Sequence, residues 1–118
     1  MTRPRTISRR HEVEVEFHQV DLAQVVHNSV YLKWFEKGRL AVLEEVFPMS
    51  WAIENRIAVP VVVNHCEYLA PAVYGDVLVI TTRHKVGERW DGKMLFEHSI
   101  SNRKTKVEVA RGYVEVTV

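Results

Sequence analysis

Asp21 stands seven residues ahead of Asn28, and Asn28 opens a long run of helical spacing. A carboxylate can act as a nucleophile or as a general base. A helix start presents unpaired backbone N–H groups and the positive end of a dipole, which suits an oxygen that gathers negative charge. Asn28 is a good N-cap, because its side chain can accept a hydrogen bond from an N–H of the first turn. An acid just ahead of such a donor set is equipment for a reaction with an anionic transition state.

The elements around this pair must hold it in place. Val30, Tyr31, Trp34, Phe35, Gly38, Ala41 and Val42 recur at helical spacing, with Lys33, Glu36, Lys37 and Glu44 on the other side. Leu40 falls among the charges, so the polar face is narrow or a partner covers part of it. The helix is predicted to end at Pro48. Ahead of it, residues 11–17 alternate Val13, Val15 and Phe17 with Glu12, Glu14 and Glu16, the pattern of a strand with one wet face. Residues 18–26 form the loop that carries Asp21.

After the helix, residues 50–55 suit one or two helical turns. A β-branched strand is expected over 59–69, with Pro60 at its start or on a sheet edge. Pro71 and Gly75-Asp76 mark a turn. Further strands are expected over 76–86, 93–101 and 106–118, separated by an Asp91-Gly92 hairpin and a polar turn at 102–105. A two-residue turn at Asp91-Gly92 would put the apolar rows Leu78, Ile80, Val86 and Met94, Phe96, Ile100 on opposite faces. A bulge at Gly87 or a longer loop would restore them. Small Ala110 and Gly112 on the last strand imply the close approach of another element, the helix near Gly38.

The order predicts one α+β domain over residues 1–118, with about five mostly antiparallel strands wrapped around one long central helix. One helix cannot cover five strands completely, and a sheet edge stays open, so a dimer or a dimer of dimers is expected. The composition is ordinary for a globular protein, 47% hydrophobic and 26% charged, and a formal net charge of +1 argues against a nucleic-acid binder. One cysteine, Cys66, rules out an internal disulfide and favours the cytoplasm. No apolar run reaches the roughly 18–20 residues of a membrane span, and the first ten residues lack the apolar core of a secretory signal. Arg3, Arg5, Arg9 and Arg10 make a basic arm, expected to be a solvated end or a surface for phosphates.

Asp21 followed by VVHNSVYLKWFEKGR, and farther on EYLAPAVYGDVLVI over 67–80, resemble the hotdog fold and, within it, the 4-hydroxybenzoyl-CoA thioesterase-like family of acyl-CoA thioesterases. The likeness rests on Asp21, Val25, Val26, Asn28, Tyr31, Phe35, Glu36 and Arg39 and extends from the first strand to the last. It implies hydrolysis of a CoA or acyl-carrier-protein thioester, at active sites on a dimer interface. It places the catalytic acid at Asp21 and the backbone N–H that polarises the carbonyl at Asn28. Gln24, Val26, His27 and Tyr31 become substrate-binding residues, with no cofactor and no metal. Many members have Gly where this chain has Gln24, and an aromatic-His or Asn-Asn pair where it has His27-Asn28.

From the residues themselves, Asp21 as nucleophile and Asp21 as general base stay equally open. Glu67 is a possible second carboxylate. Arg83, Lys85, Arg89, Arg103, Lys104 and Lys106 are candidate partners for CoA phosphates. His65, His84 and His98 lack zinc-like spacing, and serine-elbow and phosphate-loop glycine patterns are absent. Two other classes compete: a hotdog hydratase or dehydratase, which needs an acid and a histidine acting together, and a non-catalytic acyl-binding protein in which Asp21 only caps a turn.

Overall fold

The structure is a computed structural model that describes residues 5–87 and 91–117. Its elements are β1 (Arg5–Glu14), a single 3₁₀ turn (Phe17–Gln19), α1 (Asn28–Val46), α2 (Met49–Glu54), β2 (Val61–Tyr68), β3 (Val77–Val86), β4 (Lys93–Asn102) and β5 (Glu108–Thr117). The strands make one sheet in the order β1-β3-β4-β5-β2, antiparallel at every pairing. It is the expected α+β arrangement, with α1 lying on the inner face.

Helix α1 forms where its apolar spacing predicts. Val30, Tyr31, Trp34, Phe35, Gly38, Val42 and Leu43 are buried, whereas Ala41, expected on that face, is exposed. Phe47 takes an extended conformation (φ −157°, ψ 142°), which stops α1 at Val46, two residues before Pro48, as the steric restriction on a pre-proline residue requires. Pro48 itself caps the start of α2.

The even-numbered residues of β3, β4 and β5 face α1. Ile80 pairs with Ile100 and Phe96 with Val114, all buried. The register conflict is resolved, since Leu78 pairs with Asn102 and Ile80 with Ile100 and the two apolar rows share a face; the connection that sets this register includes residues 88–90, which lie outside the described residues. Close approach also occurs, with different partners from those expected. Gly38 lies over Thr82 and the ring of His11, while Gly112 lies beneath the Phe35 ring and against the backbone of His65. A side chain at either glycine would meet these atoms.

Two expectations for the first strand are corrected. It begins at least six residues earlier, so Arg5, Arg9 and Arg10 belong to β1 and are not a frayed arm, and Arg9 forms an ion pair with Glu45 of α1; Arg3 lies outside the described residues. The strand also ends at Glu14. Glu16 donates its N–H to Gln19 Oε1 at 2.9 Å and Gln19 returns its N–H to the Glu16 carbonyl at 2.9 Å. This local pairing turns the chain and leaves Phe17 77% exposed instead of on the inner face. Its ring makes an edge contact with Tyr74.

Candidate active site

The loop between the 3₁₀ turn and α1 is built from backbone hydrogen bonds. Asp21 N–H donates to Val25 O (3.0 Å), Gln24 N–H to Asp21 O (2.9 Å), Val26 N–H to Ala72 O (2.9 Å) and His27 N–H to Gln19 O (2.9 Å). The bend needs a left-handed residue, and Gln24 supplies it at φ 65°. That is the position where the resembling family often has glycine, which enters this region without steric cost.

The side chain of Asp21 accepts the Ala23 N–H on Oδ1 at 2.8 Å. This bond holds the carboxylate against its own loop. The other oxygen, Oδ2, makes no hydrogen bond among the described residues.

The helix start differs from the expectation in one atom-level respect. Asn28 is the first helical residue, and the N-cap is His27. The His27 ring accepts the Ser29 N–H on Nδ1 at 3.2 Å, with the Ser29 hydroxyl 2.8 Å from the same nitrogen. A helix start leaves four N–H groups without intrahelical partners. Here His27 N–H is held by Gln19, Ser29 N–H by the His27 ring and Val30 N–H by the His27 carbonyl. The fourth, Asn28 N–H, makes no hydrogen bond among the described residues.

Asp21, His27, Asn28, Tyr31, Tyr68 and Pro71 line one cleft of about 480 Å³. The structure thus brings together five of the six sequence-predicted site residues, since buried Val26 also borders this cleft. Gln24 is turned into an adjoining, more apolar depression of about 1140 Å³, where Phe17, Leu22, Val73 and Tyr74 surround the other side of Asp21. Tyr31 is buried between Trp34 and Tyr68 in edge-to-face contacts (centroids 5.4 and 5.2 Å). Burial pushes its phenol up to about 12, so it stays a neutral donor or acceptor at physiological pH.

Glu67 is not a second carboxylate of this cleft. It sits on the outer face of the sheet, paired with Arg111 at 3.0 Å, because alternation along β2 sends Glu67 and Tyr68 to opposite faces. Tyr68 is the residue that sequence reasoning missed, and its phenol donates to the Asn28 carbonyl at 3.1 Å. The expected cations do not gather at the cleft. Arg103 pairs with Glu12 at 3.1 Å, Arg83 borders a cleft on the outer face, and Arg89 lies outside the described residues. The histidines are also dispersed: His65 stacks on Tyr113, His84 bonds to Leu95 O, and His98 lies beneath α1.

Residues 15–118 match the model of the thioesterase-like superfamily. The chain belongs to that superfamily. Over 72 residues it is 33% identical to the long-chain acyl-CoA thioesterase FadM of Escherichia coli, a match covering 61% of this chain and 54% of that protein. The chain thus spans about half the length of the curated relatives it matches. Among solved structures it is similar to a gentisyl-coenzyme A thioesterase, with TM-score 0.80 and 26% identity, covering 92% of this chain and 88% of that one. A 4-hydroxybenzoyl-CoA thioesterase in complex with 4-hydroxybenzoyl-CoA superposes with TM-score 0.81 at 20% identity, covering 93% and 82%, a likeness of fold. The architecture is the hotdog fold, as the two sequence stretches implied. No helix among the described residues is long and apolar enough to cross a membrane.

Proposed function

We propose that the chain hydrolyses an acyl thioester of CoA or of a carrier protein to a free acid and a thiol. One observation carries this reading: the unpaired Asn28 N–H at the start of α1 borders the same cleft as Asp21. The thioester carbonyl oxygen becomes anionic as its carbon is attacked, and a fixed N–H dipole meets that charge with little reorganisation. Asp21 supplies the attack in one of two ways. Its Oδ2 adds to the carbonyl carbon, the C–S bond breaks, the thiolate leaves and takes up a proton, and water then cleaves the mixed anhydride. Alternatively Asp21 removes a proton from water, the hydroxide adds to the carbonyl carbon, and the C–S bond breaks to release the thiolate, which takes up that proton. The engagement of His27 Nδ1 as a helix cap favours hydrolysis over hydration chemistry, which needs a histidine working with the acid.

The protein works as a dimer or a dimer of dimers in this reading. The two sheet edges are unlike. β1 carries Arg5, Arg9 and Arg10, charges that discourage edge pairing, whereas β2 exposes Val61, Val62 and Val63 and is the edge proposed to meet a second copy. Such pairing would also cover the exposed Asp21 cleft, and excluding water strengthens its electrostatics. The single thiol, Cys66, fits a cytoplasmic setting.

The test is incubation of the purified chain with a panel of aliphatic and aromatic acyl-CoAs and a thiol-detecting reagent. Thiol release above the uncatalysed rate is expected for at least one class. Loss of an enoyl chromophore without thiol release would instead identify a hydratase, and binding without either would identify an acyl-binding protein.

A further inference from the structure

We propose that Tyr68 is a positioning residue for the oxyanion donor, its phenol clamping the first residue of α1 to the end of β2 and so fixing the direction of the Asn28 N–H. The inference rests on the hydrolytic reading above and adds to it a residue forty positions from Asn28 in the chain. Two contacts place Tyr68 on the first turn. Its Oη donates to the Asn28 carbonyl at 3.1 Å, and its ring meets Tyr31, one turn on, at a centroid distance of 5.2 Å and 75°. Tyr31 is in turn wedged against buried Trp34, so the ring is held by the core rather than by solvent. The Cys66 thiol adjoins the same phenol on the inner face of β2.

The His27 N–H is anchored on Gln19 O at 2.9 Å, but beyond that anchor the bonds of the turn's next N–H groups are local. The Ser29 and Val30 N–H groups both bond to His27. Residues 28–30 can therefore pivot about the anchored His27 without breaking either bond, and the direction of the Asn28 N–H would turn with them. Terminal helical turns fray readily. A hydrogen bond from the sheet to the Asn28 carbonyl ties that unit to the rigid part of the fold. Tyr68 is 50% exposed and lies on the β2 edge. Covering that edge with a second copy would remove water from the clamp and strengthen it, which links self-association to the geometry of the donor.

Tyr68→Phe in the full chain keeps the ring and its contact with Tyr31 and deletes Oη. Two measurements are made on it, amide hydrogen exchange over residues 28–31 by NMR and steady-state hydrolysis of the best thioester from the panel. Exchange in this turn is expected to accelerate by about three- to tenfold, the worth of one net hydrogen bond. The kcat is expected to fall by about the same factor with KM unchanged to within about twofold, because an oxyanion donor acts in the transition state. Exchange and kcat at wild-type levels would overturn the proposal. A raised KM at unchanged kcat would also overturn it, since Tyr68 would then be a substrate contact. A wild-type chain that releases thiol from no thioester ends the hydrolytic reading, and exchange still decides whether Tyr68 clamps the turn, with unchanged rates overturning the clamp.

Discussion

The middle and the start of α1 solve opposite problems. At the middle, Gly38 lets the helix settle on Thr82, and Phe35 stacks on His98 with centroids 4.4 Å apart and planes 9° from parallel. His98 is only 4% exposed; its Nδ1 meets Thr82 Oγ1 at 2.9 Å, and its Nε2 makes no hydrogen bond among the described residues. Burial, with Arg39 and His11 adding to it, pushes this imidazole down to about 3, so it is packed as a neutral ring. At the start, on the first residue of the helix and the loop that leads into it, the chain holds an exposed carboxylate, a left-handed glutamine and an unpaired N–H. The middle removes polar atoms from water and silences them. The start keeps them available. One helix therefore serves as core and, in the proposed reading, as the donor to the oxyanion, and the two roles should separate under mutation.

The largest effect is expected at Asp21. Asp21→Asn retains an oxygen that can accept the Ala23 N–H, so the loop survives, but the amide is neither a nucleophile nor a base at neutral pH. Turnover should fall by about 10³-fold or more, roughly 4 kcal/mol, with the thermal midpoint essentially unmoved. A near-wild-type rate would remove Asp21 from the chemistry. Asn28→Pro comes next. Asn28 is the first helical residue, the position where proline is tolerated best, and His27 already has the extended φ −63°, ψ 140° that a pre-proline residue prefers. The variant should fold with unchanged circular dichroism and lose the one N–H in question. A loss of about 10²–10³ in kcat is expected, and a folded variant with undiminished kcat would move the oxyanion elsewhere.

The middle of the helix should respond to pH rather than to substrate. The unfolded chain carries His98 with its ordinary pKa of 6.5, whereas the folded chain holds it at about 3. Between those values the unfolded state binds more protons, so the stability that the neutral ring confers is complete above about pH 6.5 and drains away as pH falls toward 3. Burial, and Lys37 beside it, lower His11 in the same direction. Urea unfolding at pH 7.5 and 5.5 should give the wild type a loss of about 1 kcal/mol, and His98→Gln a visibly smaller one. Equal losses in the two proteins would mean that His98 titrates normally.

What could be read from the sequence follows the same division between local and distant. Helix α1 declared itself through 3.6-residue spacing, and the nearness of Asp21 to the helix start through their short separation in the chain. Asparagine is the commoner cap, so the sequence points to Asn28, while the His27 ring caps only through an orientation that the loop imposes. Phe17 reads as part of a strand because the alternation of Val13 and Val15 runs on through it. The bond between Glu16 and Gln19 that ends the strand leaves that pattern unchanged. Tyr68 was out of reach for a different reason. Val61, Val62 and Val63 are apolar at both parities, so nothing in β2 said which face was inner, and only the pairing of β2 with β5 sends Tyr68 toward Asn28 and Glu67 toward Arg111.

The smallest effect is expected at Gln24, and it bears most directly on the contrast between the two regions. A non-glycine residue at φ 65° costs roughly 1–2 kcal/mol relative to the right-handed region. Gln24→Gly removes that cost but gives the unfolded chain more freedom, worth roughly 0.5–1 kcal/mol against folding. The net gain in stability is thus about 0–1.5 kcal/mol, read as a small rise in the urea midpoint at constant slope. Gln24 also faces the apolar depression beside Asp21, so its loss widens that side of the site without touching the carboxylate. The kcat for the best substrate should change by less than about threefold, with the larger change in KM. Had the strain at Gln24 instead been what aims Asp21, releasing it would lower kcat at constant KM while raising stability. The functional end of α1 would then depend on stored strain rather than on hydrogen bonds, and comparing the two parameters in this one variant separates those cases.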